Sequence, residues 1–238
     1  MGNHPFAFRF EGSGGRVGTA RSRGPLTRKI YGGFPALLAI RDIIHRNQPI
    51  EDRGGPLSQI LPLAVKHRVL RRQGKGFVPI GNAERSYLLG GWLEEFAALA
   101  LIEAGCRDVR YAQPVSWLAS TDSSRHWNEI DALGMYGDKP VLVSCKAVAE
   151  DTIDSRNGDD RLFDALLELS YWNAHFADRA AVPVFFTTAD FYDEERQRFR
   201  SPKLVERAKV LDLAIVPVDF GSFGAVVAHL KRVLAHTA

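Results

Sequence analysis

Residues 128–146 read NEIDALGMYGDKPVLVSCK, and the two apolar runs on either side of the Gly-Asp pair predict a β-hairpin. Residues two apart in a strand point to the same face of a sheet. Glu129 and Asp131 therefore share one face of the first strand, and Ser144 and Lys146 share one face of the second. Burying two carboxylates and an ammonium without partners would be very costly. Either these groups satisfy one another, or a metal ion and a substrate complete the set.

The order of elements beyond residue 85 predicts an α/β fold, in which a mixed sheet is flanked by helices. Strands are expected at 109–117, 128–136, 141–146, 182–188 and 213–218, and helices at 86–105, 161–177, 202–211 and 221–236. The first three strands form a meander. The later two are reached through helices and should therefore run parallel.

The first 80 residues are predicted to form a basic extension in two parts. Residues 1–33 are a Gly/Arg-rich tail with little periodicity, and such a tail cannot bury enough apolar surface to offset its ordering entropy. Residues 34–80 predict a small basic helical or winged-helix-like subdomain. Its two helices are expected at 35–46 and from residue 56 onward. Gly81 marks the boundary before the main domain at 86–238.

The net charge of +3 hides an asymmetry along the chain. Residues 1–80 carry 14 Lys and Arg against 4 Asp and Glu, whereas residues 81–238 carry 17 against 24. A basic leading segment beside an acidic domain indicates an anionic partner, most commonly nucleic acid. The alternative is a solubilising tail or a patch that packs on the acidic domain.

Five basic residues near the end of the second expected helix are the candidate phosphate contacts. They are Lys66, Arg68, Arg71, Arg72 and Lys75. Cations also stabilise the C-terminus of any helix, so ordinary capping is an alternative role for part of this cluster.

Composition argues against several classes of protein. No apolar run approaches the ~20 residues that span a bilayer, and the N-terminus lacks the basic-then-apolar layout of a signal peptide. Cys106 and Cys145 form no CxxC pair. No zinc-ligand spacing and no Ser-His-Asp order emerge. These features favour a cytoplasmic protein with reduced thiols and without a membrane partner.

Three short blocks carry a resemblance to a known superfamily. They are residues 90–96 (GGWLEEF), 128–131 (NEID) and 143–146 (VSCK). With the predicted element order, they resemble the PD-(D/E)xK restriction-endonuclease-like superfamily, and more narrowly the nuclease domain of CRISPR ancillary effectors. Those proteins join a CARF domain, which senses cyclic oligoadenylate, to a nuclease domain that cuts DNA or RNA with Mg²⁺ or Mn²⁺. The resemblance covers residues 86–238, and residues 1–85 lack the strand–helix alternation of a sensor domain.

The resemblance implies a role for each polar residue of the site. Asp131 would be the central ligand of Mg²⁺ or Mn²⁺, and Lys146 would orient the attacking water or stabilise the developing charge. Glu95 is preferred to Glu94 as the catalytic and metal-binding acid from the first helix, because it lies four residues after Gly91. Hard divalent cations prefer such oxygen ligands. The alternative is a purely structural ion pair between Asp131 and Lys146.

One position departs from the superfamily pattern, because Ser144 stands where that pattern has Glu. A hydroxyl is a much poorer ligand for Mg²⁺ than a carboxylate. The missing metal ligand could come from Glu129, which shares a strand face with Asp131, or from Glu168 on the following helix. A solvated helical charge is the ordinary role for Glu168.

Two hypotheses for function follow. The first is a metal-dependent nuclease of DNA or RNA, acting in CRISPR-type defence. The second is a degenerate subunit of the same fold, in which Ser144 breaks the metal site and the domain binds nucleic acid or assembles with a larger complex. A homodimer or a CRISPR-associated complex is the expected assembly, and phosphate chemistry does not distinguish DNA from RNA.

Overall fold

The computed structural model describes residues 8–118, 124–149, 153, 158–177, 180–217 and 221–236. Its strands are β1 (Arg9–Phe10), β2 (Leu70–Gln73), β3 (Gly76–Pro79), β4 (Arg107–Leu118), β5 (Arg125–Tyr136), β6 (Lys139–Lys146), β7 (Val182–Thr187), β8 (Tyr192–Asp193), β9 (Arg198–Phe199) and β10 (Ala214–Pro217). Its α-helices are α1 (Val17–Gly32), α2 (Phe34–Leu38), α3 (Arg41–His45), α4 (Leu57–Lys66), α5 (Asn82–Ser86), α6 (Trp92–Ala104), α7 (Gly158–Phe176), α8 (Pro202–Val210) and α9 (Phe223–His236). A single π-helical turn, Tyr87–Gly91, joins α5 to α6.

The main sheet confirms the predicted mixed α/β fold. Its six strands have the order β1–β4–β5–β6–β7–β10. Neighbours from β1 to β6 run antiparallel, whereas β6, β7 and β10 run parallel to one another. The hairpin β5–β6 therefore occupies the centre of the sheet. Gly105 ends α6 in the left-handed conformation, with φ +100°, as its position after the last apolar residue predicts.

Helices cover both faces of this sheet and bury a core on each. Helices α1, α6 and α9 contribute to one core, which includes Trp92 and Phe96. Helices α7 and α8 contribute to the other, which includes Phe185. All six residues of the strongly apolar strand β7 are buried, because one core packs against each of its faces.

The N-terminal segment is not the separate tail that its composition predicts. Residues 1–7 lie outside the described residues, but 17–32 form helix α1, which packs against α6. Leu26 and Ile30 of this helix are fully buried. The prediction was wrong because most of the buried apolar residues of α1 follow a Gly-Pro pair within the helix, and the helix they pack against, α6, lies some 70 residues further along the chain. Residues from 34–80 join the same core as α1 and α6.

The predicted basic helix is shorter than expected and leads into a hairpin. Helix α4 ends at Lys66, and Arg68 adopts a left-handed backbone conformation with φ +56°. Strands β2 and β3 follow, joined by a tight turn in which Gly74 has φ +59°. Ile50 also bridges to β3 through Phe77. Part of the basic cluster thus lies on a strand rather than on a helix.

Among the residues that the structure describes, no helix combines the length and the apolar character that crossing a membrane would require.

Candidate active site

The candidate site lies where strands β5 and β6 separate. Their pairing ends at Ala132 opposite Val143. Beyond that point β5 stays paired with β4 as far as Arg125, and β6 stays paired with β7 as far as Lys146. The two strands therefore form a fork, and a cavity of about 280 Å³ lies at it. Its polar lining residues are Asn128, Glu129, Asp131, Ser144, Lys146 and Glu168.

Asp131 is fixed at the base of this fork by groups on the opposite arm. Its Oδ2 accepts a hydrogen bond from the backbone N–H of Cys145 at 2.6 Å, and the Ser144 hydroxyl donates to the same oxygen at 3.4 Å. Burial raises the pKa of Asp131, and Glu168 adds to this rise. The Cys145 N–H and the Lys146 ammonium oppose it. The carboxylate thus bridges the two strands where their backbone pairing ends.

A second acid, Glu94, lies near the site in the first turn of α6, which the chain enters through the π-helical turn, and it lines a cavity that shares Glu129 with the fork. Burial, followed by the charges of Asp131 and Glu129, raises the pKa of Glu94 to about 8, against an opposing effect of Lys146. Burial and the charge of Asp131 also raise the pKa of Glu129. Three carboxylates therefore repel one another around one ammonium group.

Glu95, the acid that the sequence favours, belongs to a different cluster. Its side chain is fully buried and forms an ion pair with Arg23 of α1, whose Nε lies 3.1 Å from Oε2. Thr27 donates to the other carboxylate oxygen at 2.6 Å. Successive residues of an α-helix point about 100° apart, so Glu94 and Glu95 cannot face the same cavity. The structure corrects the choice between them, because Glu94 is the one whose charge interacts with Asp131.

The two candidates for the metal ligand that Ser144 does not supply both line the cavity at the fork. Glu129 and Glu168 both line it, and Asn128 Nδ2 donates to Glu168 Oε1 at 3.4 Å. Glu168 is solvent-exposed as a residue, yet its charge contributes to the raised pKa of Asp131. Glu168 is thus both a helical surface charge and a neighbour of the site.

A second cavity, of about 450 Å³, adjoins the first on the side of α1. Arg16, Thr19 and Arg23 line it from the α1 side, and Glu94 and Glu129 line it from the side of the candidate site. Glu129 lines both cavities. The N-terminal helix therefore forms a wall next to the candidate site, a role that its composition does not indicate.

The five predicted phosphate contacts form an exposed basic surface. Lys66 ends α4, Arg68 follows it, Arg71 and Arg72 lie on β2, and Lys75 lies in the turn to β3. All five residues are solvent-exposed, and within the described ranges none of them takes part in a salt bridge. Unpaired cations at this density are available to an anionic partner.

The donors around the fork suit a hard divalent cation in chemical type. Asp131, Glu94 and Glu129 supply carboxylate oxygens, and burial, followed by neighbouring carboxylates, raises the pKa of each. Over the described part of the chain, no three His, Cys, Asp or Glu side chains converge as ligands of one ion. Binding Mg²⁺ or Mn²⁺ would therefore require Glu94 or Glu129 to turn toward Asp131.

Two solved structures share this architecture. The crystal structure of protein VC1899 from Vibrio cholerae matches with a TM-score of 0.70 and 16% sequence identity, over 98% of this chain and 60% of that chain. The structure of Can2 from Sulfobacillus thermosulfidooxidans, in complex with cyclic tetra-adenylate, matches with a TM-score of 0.63 and 14% identity, over 98% of this chain and 58% of that one. No protein-family model and no curated protein matches the sequence. The likeness establishes the fold, and this chain spans about three fifths of the length of either structure.

Proposed function

We propose that this protein hydrolyses phosphodiester bonds of DNA or RNA with the help of Mg²⁺ or Mn²⁺, as a nuclease in CRISPR-type defence. The observation that carries the proposal is the fork, where Asp131 and Lys146 line one cavity and Glu94 is close enough for its charge to interact with both. The three sequence blocks that resemble CRISPR ancillary nucleases support it. So does the shared fold of Can2, a protein solved with cyclic tetra-adenylate.

Each residue of the fork has a task in this proposal. Asp131 would hold the cation through oxygen, together with Glu94 or Glu129. When bound, the cation would polarise the phosphoryl group and lower the pKa of a bound water. Lys146 lines the same cavity as Asp131, where its positive charge can stabilise negative charge that develops on the phosphoryl oxygens. The exposed basic surface around β2 would hold the sugar–phosphate backbone.

Cleavage of plasmid DNA and of single-stranded RNA, with Mn²⁺, Mg²⁺ or EDTA, tests this function. We expect Asp131→Ala, Lys146→Met and Glu94→Gln each to lower the rate by about 100-fold or more, because Asp131 and Glu94 would hold the cation and Lys146 would stabilise charge on the reacting phosphate. Glu103→Gln is the matched control, since Glu103 is an exposed acid on the same helix. Cleavage that survives Asp131→Ala would rule out the mechanism.

The alternative function is a degenerate subunit that binds nucleic acid or assembles with a larger complex. One specific observation favours it: Ser144 contributes a hydroxyl where a third carboxylate would be needed, and Asp131 Oδ2 is already bound to the Cys145 N–H. In this alternative, Lys146 and Asp131 act as a structural pair, and only the exposed basic surface contacts phosphates.

The variant Ser144→Glu separates the two functions. If the site is degenerate, the wild-type protein is inactive and the added carboxylate creates Mn²⁺-dependent cleavage or Mn²⁺ binding. If the wild type cuts nucleic acid, no added ligand is needed. Because 17–32 are part of the core, nucleic-acid binding is better tested with Arg71→Gln and Arg72→Gln than by deletion. Each should flatten the salt dependence of binding, since each removes about one phosphate contact.

A further inference from the structure

Trp127 differs from the other tryptophans of the chain because it is solvent-exposed. Trp92 is fully buried and Trp172 is 8% exposed, whereas Trp127 is 59% exposed on strand β5. Large aromatic side chains are usually at least partly covered in a monomeric protein. An exposed tryptophan on a strand of the main sheet therefore indicates a surface that binds a partner.

The strand register places Trp127 on the face of the sheet that looks away from α7. Trp127 is paired with Ser116 of β4, and Ser116 is paired with Arg9 of β1. Directly opposite residues of antiparallel strands have their side chains on the same face. The neighbouring Trp117 packs on Trp172 of α7, so the row Arg9–Ser116–Trp127 points to the opposite side.

One residue of the same face, Glu129, also lines the cavity at the fork. Glu129 follows Trp127 by two residues, which places the two side chains on one face about 7 Å apart along the strand. Glu129 lines both the cavity at the fork and the cavity beside α1. The exposed indole therefore lies two residues along β5 from an acid that lines both cavities.

One arginine lies beside the indole, and a second lies two strands away in the same cross-strand row. The guanidinium of Arg125 lies 5.9 Å from the centroid of the Trp127 ring, and it also faces Glu11 at 3.7 Å. Arg9 occupies the same cross-strand row and is solvent-exposed. An aromatic face bordered by cations is complementary to a nucleobase joined to its phosphates.

We infer that Trp127, with Arg9 and Arg125, forms a stacking platform for an unpaired nucleotide of the substrate, next to the site of cleavage. The inference rests on the proposed nuclease function and names its substrate class: a single-stranded segment. A base inside a duplex has both faces covered by its neighbours, whereas an unpaired base can place one face on an aromatic side chain.

Fluorescence anisotropy with labelled single-stranded and duplex oligonucleotides, without divalent cations, tests the platform in the full chain. Trp127→Ala should weaken single-strand binding by about 5- to 100-fold and leave duplex binding within about twofold, because it removes one stacked base. Trp127→Phe should keep binding within about threefold of wild type, since it retains an aromatic face. The wild-type tryptophan fluorescence should be quenched on binding, and this quenching should be largely lost in Trp127→Phe.

Two matched controls separate stacking from other roles of an exposed apolar surface. Leu118→Ala removes a neighbouring exposed apolar side chain (63% exposed) that cannot stack a base as an aromatic ring does. Phe199→Ala removes an exposed aromatic residue on the separate hairpin β8–β9. Neither variant should change single-strand affinity by more than about twofold, on the stacking argument. Circular dichroism should show the wild-type fold for each.

Several outcomes would overturn the platform. Single-strand binding that is unchanged in Trp127→Ala is one, and a wild-type protein that binds no single strand is another. If Trp127→Ala and Leu118→Ala both change the sedimentation coefficient and leave oligonucleotide binding intact, the patch is a protein–protein interface instead. Failure of the nuclease function looks different: the wild type would bind single strands through Trp127 but cleave none with Mn²⁺.

Discussion

Two adjacent glutamates of α6 show how burial can have opposite chemical consequences. Glu95 is fully buried, and an arginine and a threonine from α1 neutralise and solvate it. Glu94, one residue earlier, is half-buried, and burial and the charges of two other carboxylates raise its pKa to about 8. In the first cluster, an ion pair and a hydrogen bond compensate the buried charge, so removing one partner would destabilise the fold. The second leaves its charge unsatisfied, which is the condition expected of a functional site.

The Glu95 cluster also explains why the N-terminal helix cannot be separated from the candidate site. Arg23 pairs with Glu95, and its guanidinium lies 4.3 Å from the centroid of the Tyr87 ring. Tyr87 begins the π-helical turn that leads into Glu94, and its hydroxyl contacts that of Thr27 at 2.8 Å. Helix α1 therefore holds the start of α6 in place, and with it the acid that faces Asp131.

The largest effect should follow from removing the cation of the Glu95 cluster. Arg23→Met leaves Glu95 buried without its counter-ion, so we expect the free energy of unfolding to fall by about 3–5 kcal/mol. Urea denaturation measures this. Arg21→Met is the matched control, because Arg21 is exposed on the same helix, and it should change stability by less than about 0.5 kcal/mol.

The double variant Arg23→Met/Glu95→Met sharpens this prediction. Replacing both partners with apolar side chains removes the uncompensated charge, so it should recover most of the loss. If Arg23→Met alone lowers the free energy of unfolding by less than about 1 kcal/mol, the two glutamates do not differ as proposed. Removing one partner of a buried ion pair should cost several times that amount.

The next largest effect concerns Glu94, and here the substitution should raise the free energy of unfolding rather than lower it. Because the folded-state pKa of Glu94, about 8, lies above its ordinary value of 4.5, the charged form is disfavoured in the folded protein. Its cost is absent below pH 4.5, grows as the pH rises, and is complete above pH 8. Glu94→Gln should therefore stabilise the cation-free protein by on the order of 3 kcal/mol at pH 9.

Urea denaturation in EDTA at pH 4 and at pH 9 measures the difference between Glu94→Gln and wild type. The gain should nearly vanish at pH 4, where the wild-type carboxyl is already protonated. Glu103→Gln, which removes an exposed acid of the same helix, should show little change between the two pH values. A destabilising Glu94→Gln at pH 9 would mean that Glu94 has a compensating partner and is not repelled by Asp131 and Glu129.

A smaller effect should come from the hydroxyl that solvates Glu95. Thr27 is fully buried, and its Oγ1 donates to Glu95 Oε1 at 2.6 Å. Thr27→Val keeps the shape and removes this hydrogen bond to a charged group, so we expect a loss of about 2 kcal/mol in urea denaturation. Thr19→Val, at an exposed threonine of the same helix, should be close to neutral. Equal effects of the two variants would contradict the role assigned to Thr27.

The sequence predicts the fork better than it predicts the helix. Asp131 and Lys146 meet because a strand repeats every two residues, so a hairpin turn determines both register and face. The choice between Glu94 and Glu95 depends on the rotational phase of α6. The π-helical turn Tyr87–Gly91 inserts a residue into the 3.6-residue period just before that helix. Spacing measured from Gly91 does not show which side of α6 faces the sheet, and it selects Glu95, which pairs with Arg23, rather than Glu94, whose charge interacts with Asp131.

The role of α1 could not be predicted for a different reason. Its contribution depends on one ion pair, Arg23 with Glu95, between residues 72 positions apart. No local period connects such residues. The high Gly and Arg content of residues 1–33 indicates a solvated tail unless the partner of each arginine is known. The residue that pairs with a buried charge depends on the tertiary structure, whereas the face to which a strand residue points depends on its local backbone.

The smallest expected effect tests how far the Glu95 cluster extends. The Tyr111 hydroxyl lies 3.5 Å from Glu95 Oε2 and 3.3 Å from the backbone carbonyl of Arg16. Both distances exceed the usual hydrogen-bond length, so each contact is weak. Burial, and then the charge of Glu95, raises the pKa of Tyr111 to about 12, so the phenol is neutral at physiological pH. Tyr111→Phe should therefore lower the free energy of unfolding by only about 0.5 kcal/mol in urea denaturation. A loss comparable to that of Thr27→Val would mean that Tyr111 is a full member of the cluster, and that strand β4, as well as α1, holds Glu95 in place.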